Sequence, residues 1–269
     1  MKRIFIVGVA RSGTTLLQSM LAAHPLINSF PETHFFTKFS KNKIIRFFSF
    51  VYKKENQNVL SYLKKNNFDN NVSFVPKYTF SKKKWVKKVL NVLDLISNNA
   101  EKQIWVEKTP MHLYYTDLIC SVDEKATFIH VIRNGKDNVA SLFEASNKYP
   151  QHFRQNKLSD CINRYKKEIK ISKSNKYSKN HIFVRYESII KEPKKTLLNL
   201  FSKLNIEYDN RVLDYKKYAA KLINTEEKWK SKNSNDLSFS NKYNEMFDAE
   251  QKNIISSKLK NIDLSVFDD

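Results

Sequence analysis

Ile4-Phe5-Ile6-Val7-Gly8-Val9-Ala10-Arg11-Ser12-Gly13-Thr14-Thr15-Leu16-Leu17 opens the chain and decides its fold. Four apolar residues in a row read as a buried parallel strand, and Leu16, Leu17, Met20 and Leu21 recur at helical spacing. The segment is strand, polar turn, helix. The first N–H groups of a helix have no partner inside it, and its dipole favours negative charge there, so the turn is shaped to hold an anion. Gly8 and Gly13 stand five apart, as do the two glycines of a phosphate-binding P-loop. The lysine that would follow the second glycine is absent; Thr14 and Thr15 stand there, and Arg11 brings the positive charge. That argues against a nucleoside triphosphatase and for a smaller anion held without a metal-bridged triphosphate.

Outward from this segment, strands and helices alternate. The first helix ends at His24-Pro25, since proline cannot continue it. Leu26 to Phe30 reads as a second strand that delivers Pro31-Glu32-Thr33-His34, with Thr33 placed to cap a short helix through Phe35, Phe36 and Phe39. Lys43 to Leu63 and Lys82 to Ile96 show helical spacing with lysine-rich outer faces, a helical insert over about 41–100. Gln103 to Val106 reads as a strand ending in Glu107-Lys108-Thr109-Pro110, with a helix from Thr109-Pro110 through Leu118 and Ile119. Ala126 to Ile132 is the next strand, running into Arg133-Asn134-Gly135-Lys136-Asp137 and a helix with Val139, Ala140, Leu142 and Phe143. A basic helix over Leu158 to Ser174, a strand over His181 to Val184, a helix from Pro193 and a last helix near Ala249 to Leu259 complete the reading. Such alternation predicts an α/β chain with a central parallel sheet and helices on both faces, whose ligands bind at the strands' carboxyl ends. Every motif named here follows such an end. No linker interrupts the 269 residues, so one domain is expected.

Composition narrows the class. Lys and Arg number 48 against 27 Asp and Glu, a formal net charge of +21. Such a field attracts an anionic nucleotide, but the lysines are spread along the chain, so nucleic acid is not indicated. Cys120 and Cys161 lack metal-ligand spacing and form no disulfide framework. His24, His112, His130, His152 and His181 likewise suggest no metal site. No run reaches the ~20 apolar residues of a membrane span, and the one N-terminal apolar run is the first strand, so a cytoplasmic enzyme without leader or anchor is expected. Only Gly8, Gly13 and Gly135 occur, against about nineteen at average usage. All three sit in the two segments assigned to anion binding.

Arg11-Ser12-Gly13-Thr14-Thr15, followed by His24-Pro25 and Glu32-Thr33, resembles the sulfotransferases that use 3'-phosphoadenosine 5'-phosphosulfate (PAPS). Within them the pattern is similar to the tyrosylprotein and related Golgi and bacterial branch. The resemblance covers the first third and the middle of the chain well and the last quarter poorly. It implies the P-loop-like sulfotransferase fold, PAPS as co-substrate, 3'-phosphoadenosine 5'-phosphate (PAP) as product, and no metal.

Arg11, Ser12, Gly13, Thr14 and Thr15 are expected to bind the 5' phosphosulfate through backbone amides and hydroxyls. Arg133 and Ser141 lie eight apart; a guanidinium and a hydroxyl suit a terminal phosphate, and the resemblance assigns this pair the 3' phosphate. Glu32 is the candidate general base, by the resemblance and because a partly buried carboxylate can take an attacking hydroxyl's proton. His34 is its rival. Lys108 and Arg11 are placed to offset charge on the leaving phosphate, Lys108 in a segment that resembles the family's Lys-x-Pro. Tyr186 resembles a nucleotide-contacting tyrosine, with a rim position as plausible; Lys228-Trp229 loosely resembles a late Lys-Trp pair that closes over the donor, Trp229 stacking on adenine or packing the lid. The acceptor is a hydroxyl, on carbohydrate, lipid-linked sugar or tyrosine. Two other readings stand beside this one: a P-loop-type nucleotide kinase, which magnesium chelation would stop, and a non-catalytic polyanion-binding protein, whose affinity would fall steeply with salt.

Overall fold

The structure, a computed structural model, describes residues 1–38, 53–75, 81–153, 157–222, 237, 239 and 241–268. Its strands are β1 (Lys2–Gly8), β2 (Ile27–Phe30), β3 (Ile104–Lys108), β4 (Thr127–Ile132) and β5 (His181–Arg185). The helices are α1 (Thr14–Ala22), α2 (Lys53–Lys65), α3 (Lys82–Asn99), α4 (Thr116–Cys120), α5 (Gly135–Lys148), α6 (Leu158–Ser174), α7 (Tyr186–Lys191), α8 (Pro193–Lys203), α9 (Lys216–Leu222), α10 (Lys242–Met246) and α11 (Ala249–Leu259).

All five strands are parallel, in the order β2-β3-β1-β4-β5. The chain fills one side of β1 with β2 and β3, then crosses to the other side for β4 and β5. The loop after β1 therefore lies where the order reverses, the place at which open α/β sheets bind ligands. Register brings the carboxyl ends level: Ile6 pairs with Lys108, Gly8 with Val131, Phe30 with Glu107 and Ile132 with Arg185. Gly8, at φ 139°, is required by close approach, because a Cβ there would stand 2.7 Å from the Val131 carbonyl oxygen.

Successive strand residues face opposite sides. Phe5, Phe30, Trp105 and Phe128 pack with Trp85, Val89 and Leu93 of α3 on one face. Ile4, Ile6, Val106 and Ile129 pack with Leu17, Met20 and Leu21 of α1 and with Leu197 and Phe201 of α8 on the other. On the first face Phe5 stacks on Phe128 at 5.4 Å and meets Trp105 edge-on at 5.2 Å. Arg3, on β1, donates to Asp94 of α3 and to Asp123, while the Trp105 indole N–H also donates to Asp94. The lysine-rich helix α3 is thus anchored by its single acid as well as by its apolar stripe.

Element boundaries differ from the reading at instructive points. The third strand runs on to Lys108, so Glu107 and Lys108 belong to the strand rather than to the loop beyond it. The helix expected from Thr109-Pro110 starts as a 3-10 turn, Pro110–Tyr115, and becomes α-helical at Thr116. Within this turn the His112 ring points back to the Glu107 carboxylate. After Glu32 a 3-10 turn spans Phe36–Lys38, and Phe39 lies outside the described residues, as does most of the expected stretch from Lys43 to α2. Cys161 is buried, Cys120 is half-buried, and both are free thiols.

Candidate active site

The site is built on the loop after β1. Arg11 takes a left-handed backbone (φ 71°) and Gly13 another (φ 95°). Ser12 turns inward: its hydroxyl donates to the Val9 carbonyl at 2.6 Å, and its N–H reaches the same oxygen at 3.2 Å. Ser12 thus closes the loop from within. No side chain caps α1, whose first turn holds Thr14 and Thr15 and no acid. That leaves the N–H groups of the helix start without a side-chain acceptor, and it suits them to an anion. The ring of Tyr186 lies against Gly13, where a Cβ would stand 2.3 Å from it.

From the other side of β1 come the residues after β4. Arg133 is 6% exposed. Its Nη1 donates to the Arg11 carbonyl at 3.1 Å, and its guanidinium lies 4.4 Å above the centre of the Tyr186 ring. Its Nε is buried without a hydrogen-bond partner. The Tyr165 hydroxyl holds the Arg133 carbonyl at 2.8 Å, and Asn138, one turn into α5, donates to the Ala10 carbonyl at 3.1 Å. One turn further, the Ser141 hydroxyl accepts from Arg11 Nε at 3.4 Å. Burial, and then the neighbouring Arg133 charge, push the Arg11 guanidinium down to about 10. Two cations held this close, one with an unused buried donor, make a site that an anion would relieve.

Lys242 adds a third positive charge. It opens α10, forms an ion pair with Glu144 of α5, and is pushed down by burial and by the charges of Arg11 and Arg133. Its position in the last quarter, at the start of a five-residue helix after a polar stretch, gives no sequence signal. Lys228 and Trp229 lie outside the described residues.

On the β3 side, the Lys108 ammonium forms an ion pair with Glu32 Oε1, and His34 Nε2 sits 3.1 Å from Glu32 Oε2. Lys108 is 2% exposed, Glu32 12% and His34 42%, so the three run from the interior to the surface. His34 also takes a left-handed backbone, at φ 52°. Beneath them lies a residue that the sequence reading passed over. Glu107 is 1% exposed; its Oε1 accepts from the Thr33 N–H at 3.1 Å, the Thr33 hydroxyl at 3.0 Å and the Thr109 hydroxyl at 2.5 Å, and its Oε2 meets His112 Nδ1 at 2.8 Å. Burial alone would raise the Glu107 pKa; the His112 ring and these hydrogen bonds outweigh it and lower it.

Arg11, Thr14, Thr15, Arg133, Ser141 and Tyr186 thus gather around one loop, with Glu32 and Lys108 at the neighbouring strand ends. Among the described residues no group of His, Cys, Asp and Glu has a geometry that would hold a metal ion, and no helix is long and apolar enough to cross a membrane. The Arg133 guanidinium, with its unpartnered Nε, and the uncapped start of α1 are two separate sets of donors suited to anionic oxygens.

A family model described as "Sulfotransferase family" matches residues 3–210. The fold is similar to the solved sulfotransferase domain from the curacin biosynthetic pathway, with TM-score 0.58, 17% identity, and coverage of 96% of this chain and 97% of that one. It is similar to the sulfotransferase domain of the Synechococcus PCC 7002 olefin synthase (TM-score 0.53, 18% identity, 98% and 89% coverage). It also resembles mouse sulfotransferase SULT7A1 complexed with PAP (TM-score 0.53, 14% identity, 97% and 84% coverage). No curated protein sequence matches the chain.

Proposed function

The chain belongs to the sulfotransferase family, and from that premise we propose that it moves a sulfuryl group from PAPS to a hydroxyl acceptor, releasing PAP. PAPS supplies the activated sulfur and a phosphate leaving group; the rest is the work of this chain's side chains. The start of α1, with Thr14 and Thr15, holds the 5' end. Arg133 and Ser141 hold the 3' phosphate, and Lys242 strengthens the field around them. Tyr186 packs between the loop and Arg133 as the floor under the nucleotide. The mouse relative's complex with PAP lends weight to this donor. Glu32 takes the acceptor's proton, and Lys108 and Arg11 offset the charge that appears on the departing phosphate. The acceptor class stays as wide as the donor half allows: carbohydrate, lipid-linked sugar or tyrosine. We read the enzyme as cytoplasmic and the chain as one domain.

The observation that carries this reading is the convergence of Arg11 and Arg133 on one loop, with Arg133 Nε buried and unsatisfied. The test is calorimetric binding of PAP against AMP and ATP. Binding that needs the 3' phosphate and is lost in Arg133→Ala supports the proposal. Equal or tighter ATP binding removes it.

A further inference from the structure

Glu107 lies next to the site without entering it, yet its partners are the chain neighbours of the two groups assigned to proton and charge handling. Thr33, bound through both its N–H and its hydroxyl, follows Glu32. Thr109, bound through its hydroxyl, follows Lys108. The same Thr109 oxygen accepts the N–H of His34 at 3.3 Å. Segments 32–34 and 107–109 are therefore laced together from beneath by one carboxylate, and both ends of the Lys108–Glu32 pair are set by it.

This arrangement is costly as mere core filling. A buried ionised carboxylate loses its hydration, and apolar residues of similar volume stabilise a core at least as well. Here both oxygens are used, by four donors that come from two sheet ends and the turn after β3. In a strand Glu107 and Lys108 face opposite ways, so the carboxylate fixes its neighbour's backbone without competing for the ammonium. Resting on the catalytic reading of Glu32 and Lys108, we propose that Glu107 is a positioning residue: through Thr33 and Thr109 it sets the separation of the base from the lysine.

The test compares Glu107→Gln, Thr109→Val, Thr109→Ser and Glu32→Gln with the parent chain. Each is measured for PAP affinity by calorimetry, for thermal midpoint, and for turnover of PAPS with water as acceptor. Glu107→Gln and Thr109→Val are expected to lower turnover by about ten- to hundredfold, the scale of a small misplacement of reacting groups, with PAP affinity within about twofold. Thr109→Ser, which restores the hydroxyl, is expected to restore most of the turnover. If Glu107→Gln fails to fold, the Val and Ser pair at Thr109 carries the test. Unchanged turnover in folded Thr109→Val, or loss in Val and Ser alike, would overturn the proposal. Normal turnover in Glu32→Gln would remove the base itself and the positioning role with it, whereas an inactive Glu32→Gln beside a fully active Thr109→Val would remove the positioning role alone.

Discussion

Lys108 and Glu32 neutralise each other: the ammonium, 2% exposed, is paired with the carboxylate, 12% exposed, at the ends of adjoining strands. The proposed base and the proposed charge stabiliser are thus held together in one ion pair. Glu32→Gln keeps the shape and removes the proposed proton acceptor. Turnover is expected to fall by about 10²–10⁴, while PAP affinity holds or rises slightly as Lys108 is released. Parallel calorimetry and PAP-release assays check this.

Arg133→Ala removes the buried donor proposed to take the 3' phosphate. Hydrogen bonds to charged groups contribute about 1.5–3 kcal/mol, so PAP affinity is expected to drop by about ten- to hundredfold and AMP affinity much less. Arg133 also holds the Arg11 carbonyl, so Arg133→Lys serves as the companion variant; it keeps the charge and loses the fork geometry. A PAP loss matched by an equal AMP loss would show damage to the loop instead.

Lys242 acts through charge. Lys242→Ala is expected to weaken PAP severalfold at low salt and to shrink that difference as salt is raised, because screening falls hardest on the more exposed of the three cations. Titrations at two ionic strengths decide it.

Gly13→Ala is expected to destabilise the fold by about 1–3 kcal/mol and to abolish donor binding. The residue sits at φ 95°, and the new Cβ would stand 2.3 Å from the Tyr186 ring. Thermal melts of Gly13→Ala and of the double variant with Tyr186→Ala separate the two causes. The second change relieves the contact and leaves the backbone strain.

His130 and His181 share a buried hydrogen bond of 2.7 Å between β4 and β5. Burial pushes His181 down to about 4 and His130 well below its ordinary 6.5. The unfolded chain therefore takes up these protons first. The contribution of this pair to stability is complete above about pH 6.5 and declines as pH falls from there toward 4. Urea midpoints across that interval should fall with pH, and the slope should flatten in His181→Gln.

The strand–loop–helix opening and the parallel sheet were legible because each depends on local pattern, whereas Glu32, Lys108, Arg133 and Ser141 were singled out mainly by the family resemblance. Apolar runs mark buried strands, scarce glycines mark tight turns, and a motif after a strand end has one place to go. Glu107 was not legible as a hub. Its neighbour Lys108 carried the resemblance, and a buried carboxylate looks in sequence like any surface acid. Only the register of β3 against β1 and β2 brings Thr33 and His112 to it. Ser12 reads as an anion ligand by its company; that its hydroxyl also donates to the Val9 carbonyl, inside the turn at which Arg11 is left-handed, is visible only in the structure. Lys242 depends wholly on how α10 lies on α5, which nothing local encodes.

The sheet order has a consequence for how the molecule comes into being. β1 is made first but sits in the middle, and its partners β3 and β4 emerge about a hundred residues later. β2, made second, is an edge strand that borders only β3. The contacts that complete the loop span 122 residues from Arg133 to Arg11 and 130 from Arg11 to Ser141. During synthesis the apolar Ile4–Val7 run therefore waits unpaired, exposed to other nascent chains, and closure pays the entropy of long loops before any of these pairings reward it. The loop after β1, early in the sequence, is completed only by contacts with residues more than a hundred positions further on.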